Sequence, residues 1–222
     1  YTFQMCDIAR ELNCKLINIW AGQDGYDYLL TADYMQHRQW LCNAVTEMAC
    51  KYPDLKFALE YKPKEPRTHS YIARMADTLL LVQESGEANV GVTIDTGHAF
   101  CGGEVVAESI VLAKRADDRL FHMHFNDNYT SWDDDMIVGS VHSICYIEIL
   151  YWLDKCGYDS WISMDQYPYR EDAAGAISES ILWLCEFDTI VQENRSELDK
   201  LIAAGDAVET SRVLRKLLFG DR

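Results

Sequence analysis

Four short apolar runs in this sequence each end in a side chain that can bind a divalent metal: Glu60, Asp95, His124 and Asp165. The runs read F-A-L, V-T-I, F-H-M and W-I-S-M, and short runs rich in aromatic and β-branched residues are typical of strands. Three carboxylates and one imidazole suit Mn²⁺, Mg²⁺ or Co²⁺. Consecutive parallel strands of this kind could therefore deliver four ligands to one ion.

Strand-like and helix-like patterns alternate along the chain. The predicted strands are Leu16–Trp20, Lys56–Glu60, Val90–Asp95, 120–124 and 161–165. The predicted helices are 1–12, 33–51, 69–85, 105–115, 143–155, 172–193 and 196–219. Alternation of this kind predicts an α/β fold with a parallel sheet.

Two architectures compete for five βα units, a doubly wound open sheet and a (β/α)8 barrel. No G-x-G-x-x-G or G-x-x-x-x-G-K-[ST] loop follows a strand, which argues against the usual nucleotide-binding folds. In a barrel the carboxyl ends of the strands converge at one mouth, as the four ligands require. The ligands therefore favour a barrel, with its βα units in residues 1–193 and a helical extension over 194–222, and the open sheet stays the alternative at this point.

Charge and cysteine content narrow the functional class. Twenty basic and 36 acidic residues give a formal charge of −16, which opposes binding to nucleic acid or to an anionic membrane, although a solvated acidic face is the simplest explanation. The eight cysteines form no C-x-x-C pair, so we expect mostly buried free thiols and a cytoplasmic location. No membrane span or signal peptide is recognisable.

A Glu-x-Lys pair follows the second strand. Residues two apart on a strand point to the same side, so Glu60 could bind metal while Lys62 polarises a substrate oxygen. The alternative is a surface ion pair, which is disfavoured by the two prolines, Pro63 and Pro66, that fix the following loop. The pair therefore becomes a candidate for the barrel mouth.

Asp95 and His98 form an Asp-x-x-His motif. An aspartate that ends a buried Val/Ile strand needs a partner or a metal, because an unpaired buried charge is unfavourable. His98 could serve as an acid–base group or could simply cap the next helix.

The run after the fourth strand holds further candidates. His122 and His124 share one side of that strand, and one of them is enough for the ligand set. Asp133 and Asp135 follow Trp132 in a run of three aspartates, which is either solvated or able to reach a second ion shared with His124.

Aromatic residues follow the first predicted strand. Trp20 and Tyr26 could form an apolar wall against which a sugar stacks. Packing in the core is an equal alternative for Trp20.

Together these motifs resemble the xylose isomerase-like TIM-barrel superfamily, and within it L-rhamnose isomerase and its sugar-isomerase relatives. The resemblance covers residues 20–165 and rests on the E-Y-K-P-K-E-P run from Glu60, the Asp-x-x-His motif, His124 and the Asp-x-Asp pair. It implies a structural metal held by Glu60, Asp95, His124 and Asp165. It implies a catalytic metal held by His124, Asp133 and Asp135.

The resemblance also implies an activity. Lys62 would contact the carbonyl-end oxygen of a monosaccharide, and His98 would assist ring opening or proton movement, in an aldose–ketose isomerase that uses Mn²⁺ or else Mg²⁺ or Co²⁺. Epimerases of the superfamily use two glutamates, so Asp165 and Lys62 favour an isomerase. The alternatives are a sugar 3-epimerase, a C-glycoside-cleaving lyase subunit, an enzyme acting on abasic DNA, or a metal-binding remnant without activity.

The family barrel has eight strands, and its metal ligands lie on strands five to eight. The resemblance therefore implies that this chain covers strands four to eight, with an N-terminal part missing. We also expect a homo-oligomer, with the helical extension as a possible contact region.

Overall fold

The computed structural model describes residues 1–220, in which five strands form one parallel sheet in the order of the sequence. The strands are β1 (Leu16–Trp20), β2 (Lys56–Glu60), β3 (Val90–Asp95), β4 (Leu120–Phe125) and β5 (Ile162–Met164). The sheet is curled into a half-barrel. The predicted parallel α/β architecture is thus confirmed in its coarse form.

Helices follow each strand, as the alternating pattern predicts. They are α1 (Thr2–Glu11), α2 (Tyr34–Lys51), α3 (Met75–Ser85), α4 (Thr96–Cys101), α5 (Val106–Arg115), α6 (Ser143–Cys156), α7 (Ala173–Glu193), α8 (Arg195–Ala204) and α9 (Ala207–Phe219). Among residues 1–220, no helix is long and apolar enough to cross a bilayer.

Local sequence signals explain where several helices begin and end. Asp33, Asp172 and Asp206 each accept hydrogen bonds from backbone N–H groups of the first helical turn. Gly86 and Gly157 adopt left-handed conformations at helix C-termini, which glycine does without the steric penalty of a Cβ.

Two predicted helical segments differ from the structure, and one observed helix was not predicted. The segment 69–74 is not helical, because the backbone of His69 pairs with Tyr26 across the first loop. A short helix, α4, replaces the loop predicted after β3. The predicted helix 196–219 is two helices that meet at Gly205 (φ 62°), and residues 221–222 of the proposed extension lie outside the described part.

The core lies between the sheet and the helices. All six residues of β3 are buried, and the largest buried side chains include Phe57, Leu59 and Tyr146. The expectation for the cysteines is partly wrong: all eight are free, but only Cys6 is buried, and Cys14, Cys50 and Cys185 are exposed. Cys50 and Cys185 lie on the surfaces of α2 and α7, and Cys14 lies in the loop before β1.

Phe57→Ala should destabilise the protein strongly, because this β2 side chain is fully buried between the sheet and the helices. We expect a loss of about 3–5 kcal/mol in the free energy of unfolding, measured by urea titration. The matched control is Phe219→Ala at the end of α9, where the ring is 64% exposed and the expected change is within about 0.5 kcal/mol. Equal losses in the two variants would contradict the assigned core.

Candidate metal centre

The ends of four neighbouring strands bring together the four predicted ligands. One ligand atom each of Glu60, Asp95, His124 and Asp165 lies within 4.8 Å of the others. The parallel register produces this arrangement, because it pairs Asp95 of β3 directly with His124 of β4. We call this set the strand-end group.

His124 lies at the centre of the strand-end group. Its Nδ1 is 3.1 Å from Asp165 Oδ2, 3.4 Å from Glu60 Oε1 and 3.8 Å from Asp95 Oδ2. Asp95 is fully buried and Glu60 is nearly so, whereas the Asp165 side chain is 52% exposed. The group is therefore closed by the sheet and open to solvent at Asp165.

The charges of the strand-end group shift the pKa values of its members. Burial disfavours the imidazolium form of His124, but Asp165 and Glu60 outweigh burial and raise its pKa to about 10. Burial raises the pKa of Asp95 to about 6, although His98 opposes the rise. Three carboxylates thus surround one imidazole, an excess of negative charge that a divalent cation would compensate.

A second group of possible ligands adjoins the first and consists of Asp95, His98 and Asp133. His98 Nε2 is 3.1 Å from Asp133 Oδ2, and its Nδ1 is 3.0 Å from the Tyr61 carbonyl oxygen. All three ligand residues are buried. We call this set the loop group, and Asp95 belongs to both groups.

Lys62 contacts the loop group through Asp133. Its Nζ donates to Asp133 Oδ2 at 2.8 Å and lies 3.1 Å from Glu65 Oε2. Burial opposes the ammonium form, but Asp133 and Glu65 outweigh it, so the pKa of Lys62 is raised. Burial would likewise raise the pKa of Asp133, yet His98 and Lys62 lower it to about 2. The loop group is therefore a charged cluster at neutral pH.

Two observations show that the donor set fits a divalent metal. The strand-end group offers three carboxylates and one imidazole, which suits a hard or borderline cation. Asp133 Oδ1 is buried and has no hydrogen-bond partner among residues 1–220, so one strong acceptor in the loop group is unsatisfied.

The predicted second set of ligands (His124, Asp133 and Asp135) does not form such a group within the described part of the chain; Asp133 contacts His98 instead. Burial raises the pKa of Asp135 to about 7, with Asp133 and Asp95 adding to the rise. Asp135 is therefore influenced by both groups, and its role as a ligand stays a prediction.

The two predicted sugar-binding aromatic residues differ in position. Trp20 is half exposed, lies at the end of β1 and lines a small cavity together with Glu60 and Lys62. Its ring centroid is 5.4 Å from Lys62 Nζ. Tyr26 instead stacks on His69 with ring centroids 4.9 Å apart, which holds it in a cluster of aromatic side chains in the loop.

Sequence reasoning missed the neutral side chains that hold these ligands. Asn18 Nδ2 donates to Glu60 Oε2 at 2.6 Å, and Thr93 Oγ1 donates to Asn18 Oδ1 at 2.5 Å. Asn126 Nδ2 donates to both carboxylate oxygens of Asp95. Strand alternation places Asn18 on the same side of β1 as Trp20, which was the available signal.

Residues 2–187 match the sequence pattern of the family described as xylose isomerase-like TIM barrel. The match covers most of the chain, and together with the parallel sheet and its strand-end ligands it defines the class of protein. The chain belongs to the xylose isomerase-like TIM barrel family.

Curated relatives and solved structures agree with this family. The chain is 29% identical over 161 residues to a xylose isomerase of Roseobacter denitrificans, covering 67% of this chain and 36% of that protein. It is 26% identical over 181 residues to a xylose isomerase of Thermus thermophilus, covering 78% and 46%. The chain thus spans between about a third and a half of the length of these relatives.

Several of the solved structures that resemble this fold are sugar epimerases by title. A D-tagatose 3-epimerase-like protein matches with a TM-score of 0.69 and 24% identity, covering 86% of this chain and 68% of that chain. An L-ribulose 3-epimerase matches with a TM-score of 0.72 and 15% identity, covering 88% and 68%. At these identities the likeness concerns the fold.

Mn²⁺ should stabilise the protein through the strand-end group. At a free concentration about 100 times its dissociation constant, a bound ion adds about 2.7 kcal/mol of stability. For a chain of this size we expect Tm to rise by roughly 5–11 °C in calorimetry. Asp95→Asn should remove most of this rise, because it deletes the charge while asparagine still caps α4.

The control for this experiment is Glu186→Gln, which removes an exposed carboxylate on α7, far along the sequence from the ligands. It should leave the Mn²⁺-induced rise unchanged. A full rise in the Asp95→Asn variant would contradict the assignment of the ligands.

Proposed function

We propose that this protein is a metal-dependent isomerase that interconverts an aldose and its 2-ketose, with Mn²⁺ as the first choice of ion. One observation carries the proposal: the Lys62 ammonium lies 2.8 Å from Asp133, beside both ligand groups. A partly buried cation that is held by carboxylates and lines a small cavity is suited to stabilising an oxygen that becomes negative during reaction. The family and the curated xylose isomerases support a monosaccharide as substrate.

The proposed reaction moves a hydride from C2 to C1 of the open-chain aldose. The C2 hydroxyl loses its proton as the C2 carbonyl forms, and the oxygen at C1 gains a proton, so that the 2-ketose is an isomer of the aldose. A divalent ion bound by the carboxylates supplies Lewis-acid polarisation of sugar oxygens. Lys62 donates a hydrogen bond to the oxygen at the carbonyl end and stays protonated, because Asp133 and Glu65 raise its pKa. The negative charge that develops on this oxygen strengthens the hydrogen bond.

His98 has the properties of a proton-holding group for ring opening. Burial disfavours its charged form, but Asp95 and Asp133 raise its pKa to about 9. With both ring nitrogens protonated, Nδ1 donates to the Tyr61 carbonyl and Nε2 donates to Asp133. A proton is therefore held at Nε2, the nitrogen that faces the loop group.

Trp20 offers the surface on which a sugar would bind. Its indole is half exposed, next to the Lys62 ammonium. The apolar face of a monosaccharide packs well on such a ring while its hydroxyl groups bind polar side chains. We assign Tyr26 a supporting role, because its ring is engaged by His69.

A sugar 3-epimerase is the second candidate, supported by the epimerase titles of the solved structures with the same fold. Epimerisation needs proton transfer on both faces of one carbon, and the superfamily epimerases use two glutamates for it. Asp165 stands where the second glutamate would be expected, so the isomerase is preferred.

Deuterium labelling separates the two candidates. A panel of monosaccharides deuterated at C1 or C2 should show the label moving between these carbons without loss to solvent, because a hydride shift does not exchange with water. NMR and mass spectrometry report both outcomes. A parallel reaction of the unlabelled sugars in D₂O covers the alternative, because incorporation of deuterium at C3 would support the epimerase and overturn the isomerase.

Lys62→Met should lower kcat by about 10²–10³-fold, the usual effect of removing one donor to a developing oxyanion. Mn²⁺ affinity, measured by calorimetry, should not weaken, since the lysine competes for Asp133 rather than binding the ion. Lys64→Met is the matched control: this lysine, partly exposed like Lys62, lies in the same loop and donates to the Ser131 carbonyl oxygen. Its kcat should stay within about twofold, and similar losses in both variants would refute the role of Lys62.

A further inference from the structure

We infer that Asn126 is a positioning residue for the metal centre: its amide fixes the direction of the Asp95 carboxylate that both ligand groups share. This inference rests on the proposed metal centre. Asn126 follows the last residue of β4 and is fully buried. It contacts no substrate in this role and acts through Asp95.

The contact between the two side chains is direct. Asn126 Nδ2 lies 3.1 Å from Asp95 Oδ1 and 2.9 Å from Asp95 Oδ2. The backbone N–H of His98 donates to Oδ1 at 2.9 Å. Donors to both oxygens restrict rotation of the carboxylate about its terminal torsion, which is otherwise soft.

Asn126 is itself held in place through its backbone. Its N–H donates to Thr96 Oγ1 at 3.1 Å, and its carbonyl accepts from Thr96 Oγ1 at 2.8 Å. The Tyr146 hydroxyl donates to the same carbonyl. Three hydrogen bonds from α4 and α6 therefore set the position from which the amide reaches Asp95.

Gly97 leaves room for the amide. A Cβ at Gly97 would lie 2.1 Å from Asn126 Oδ1, a separation that two such atoms cannot adopt. The backbone at Gly97 is not in the left-handed region, so space and not conformation explains the glycine. The absence of a side chain at Gly97 thus leaves the space that the Asn126 amide occupies.

The orientation of the amide follows from charge. Asn126 Oδ1 is buried without a hydrogen-bond partner among residues 1–220. If the amide were flipped, its nitrogen would no longer donate to Asp95, and its oxygen would face the Asp95 carboxylate. The hydrogen bonds to Asp95 therefore outweigh the free-energy cost of leaving a buried oxygen without a partner, which is normally about 1–3 kcal/mol.

The effect on metal binding should be large, because Asp95 is the one residue common to the strand-end and loop groups. Residues that orient metal ligands commonly change affinity by about 10–100-fold when removed. Orientation of Asp95 therefore influences every ion that the centre holds.

The test compares two buried asparagines from one loop. Asn126→Ala should weaken Mn²⁺ binding by about tenfold or more, measured by calorimetry and by the EPR signal of free Mn²⁺. Asn128→Ala is the control, because Asn128 is equally buried and bonds to Gly97 O and Cys101 Sγ but touches no ligand carboxylate. It should reduce Tm by a similar amount and change affinity by less than about threefold.

A second variant keeps Asn126 and displaces its amide. Gly97→Ala should weaken Mn²⁺ binding in the same direction, because the new Cβ would lie 2.1 Å from Asn126 Oδ1 and 2.8 Å from Asn128 Nδ2. Its effect should be smaller when it is combined with Asn126→Ala, since the closest clash is then gone. If Asn126→Ala fails to fold, the loss of affinity in Gly97→Ala relative to Asn128→Ala decides the question.

The outcomes distinguish the inference from the proposed function. Mn²⁺ binding by the unmutated protein with unchanged affinity in Asn126→Ala and Gly97→Ala would overturn the role of Asn126 alone. An equal loss in Asn126→Ala and Asn128→Ala would do the same, because it would indicate general loosening of the loop. Absence of Mn²⁺ binding to the unmutated protein would overturn the metal centre and the inference together.

Discussion

Burial of the Asp95 carboxylate is the constraint on which the rest of the site depends. The residue ends the central strand β3, is fully buried and lies within ligand distance of both groups. A buried charge without partners would be strongly unfavourable. The structure provides the partners in three ways: the Asn126 amide, the N–H of His98 at the start of α4, and the imidazole of His124 across the strand pair.

The same residue connects the fold to the site. Asp95 is the N-cap of α4, so the carboxylate that offers ligand atoms also starts the helix that carries His98. The parallel register places His124 beside Asp95 and brings Glu60 to the level of Thr93. The Asp95 cap of α4 and the pairing of β3 with β4 therefore position the candidate ligands as well as the secondary structure.

Much of this arrangement can be predicted from the sequence, because the signals are local. Apolar runs define β1, β2 and β3 with their observed bounds, and the ligands of the strand-end group lie at or next to the ends of β2, β3, β4 and β5. Parallel strands align their ends, so proximity follows from topology. The prediction of a helix over 69–74 was wrong because the decisive contact there is not local. His69 pairs with Tyr26, more than forty positions earlier, and sequence periodicity cannot detect such a contact.

Side-chain partners are harder to predict than strand ends. The sequence indicates that Asp133 is near the site, but not that Lys62 and His98 would share one of its oxygens while the other stays unsatisfied. It places Trp20 and Tyr26 on one loop, but not that His69 would engage only Tyr26. Such choices depend on distances of about an ångström between elements, which residue patterns do not contain.

The two ligand groups differ in the kind of partner that stabilises their carboxylates. Neutral amides donate to Glu60 and Asp95, which also face the His124 imidazole, whereas the cations Lys62 and His98 both hold Asp133. An amide donates to a carboxylate without cancelling its charge, and three carboxylates outnumber the one imidazole, so the strand-end group keeps its attraction for a cation. An ammonium cancels the charge of Asp133 and competes with any cation for it. The strand-end group is thus the stronger site on electrostatic grounds, and under the proposed function the loop group is the one whose contacts would change when a substrate oxygen approaches Lys62.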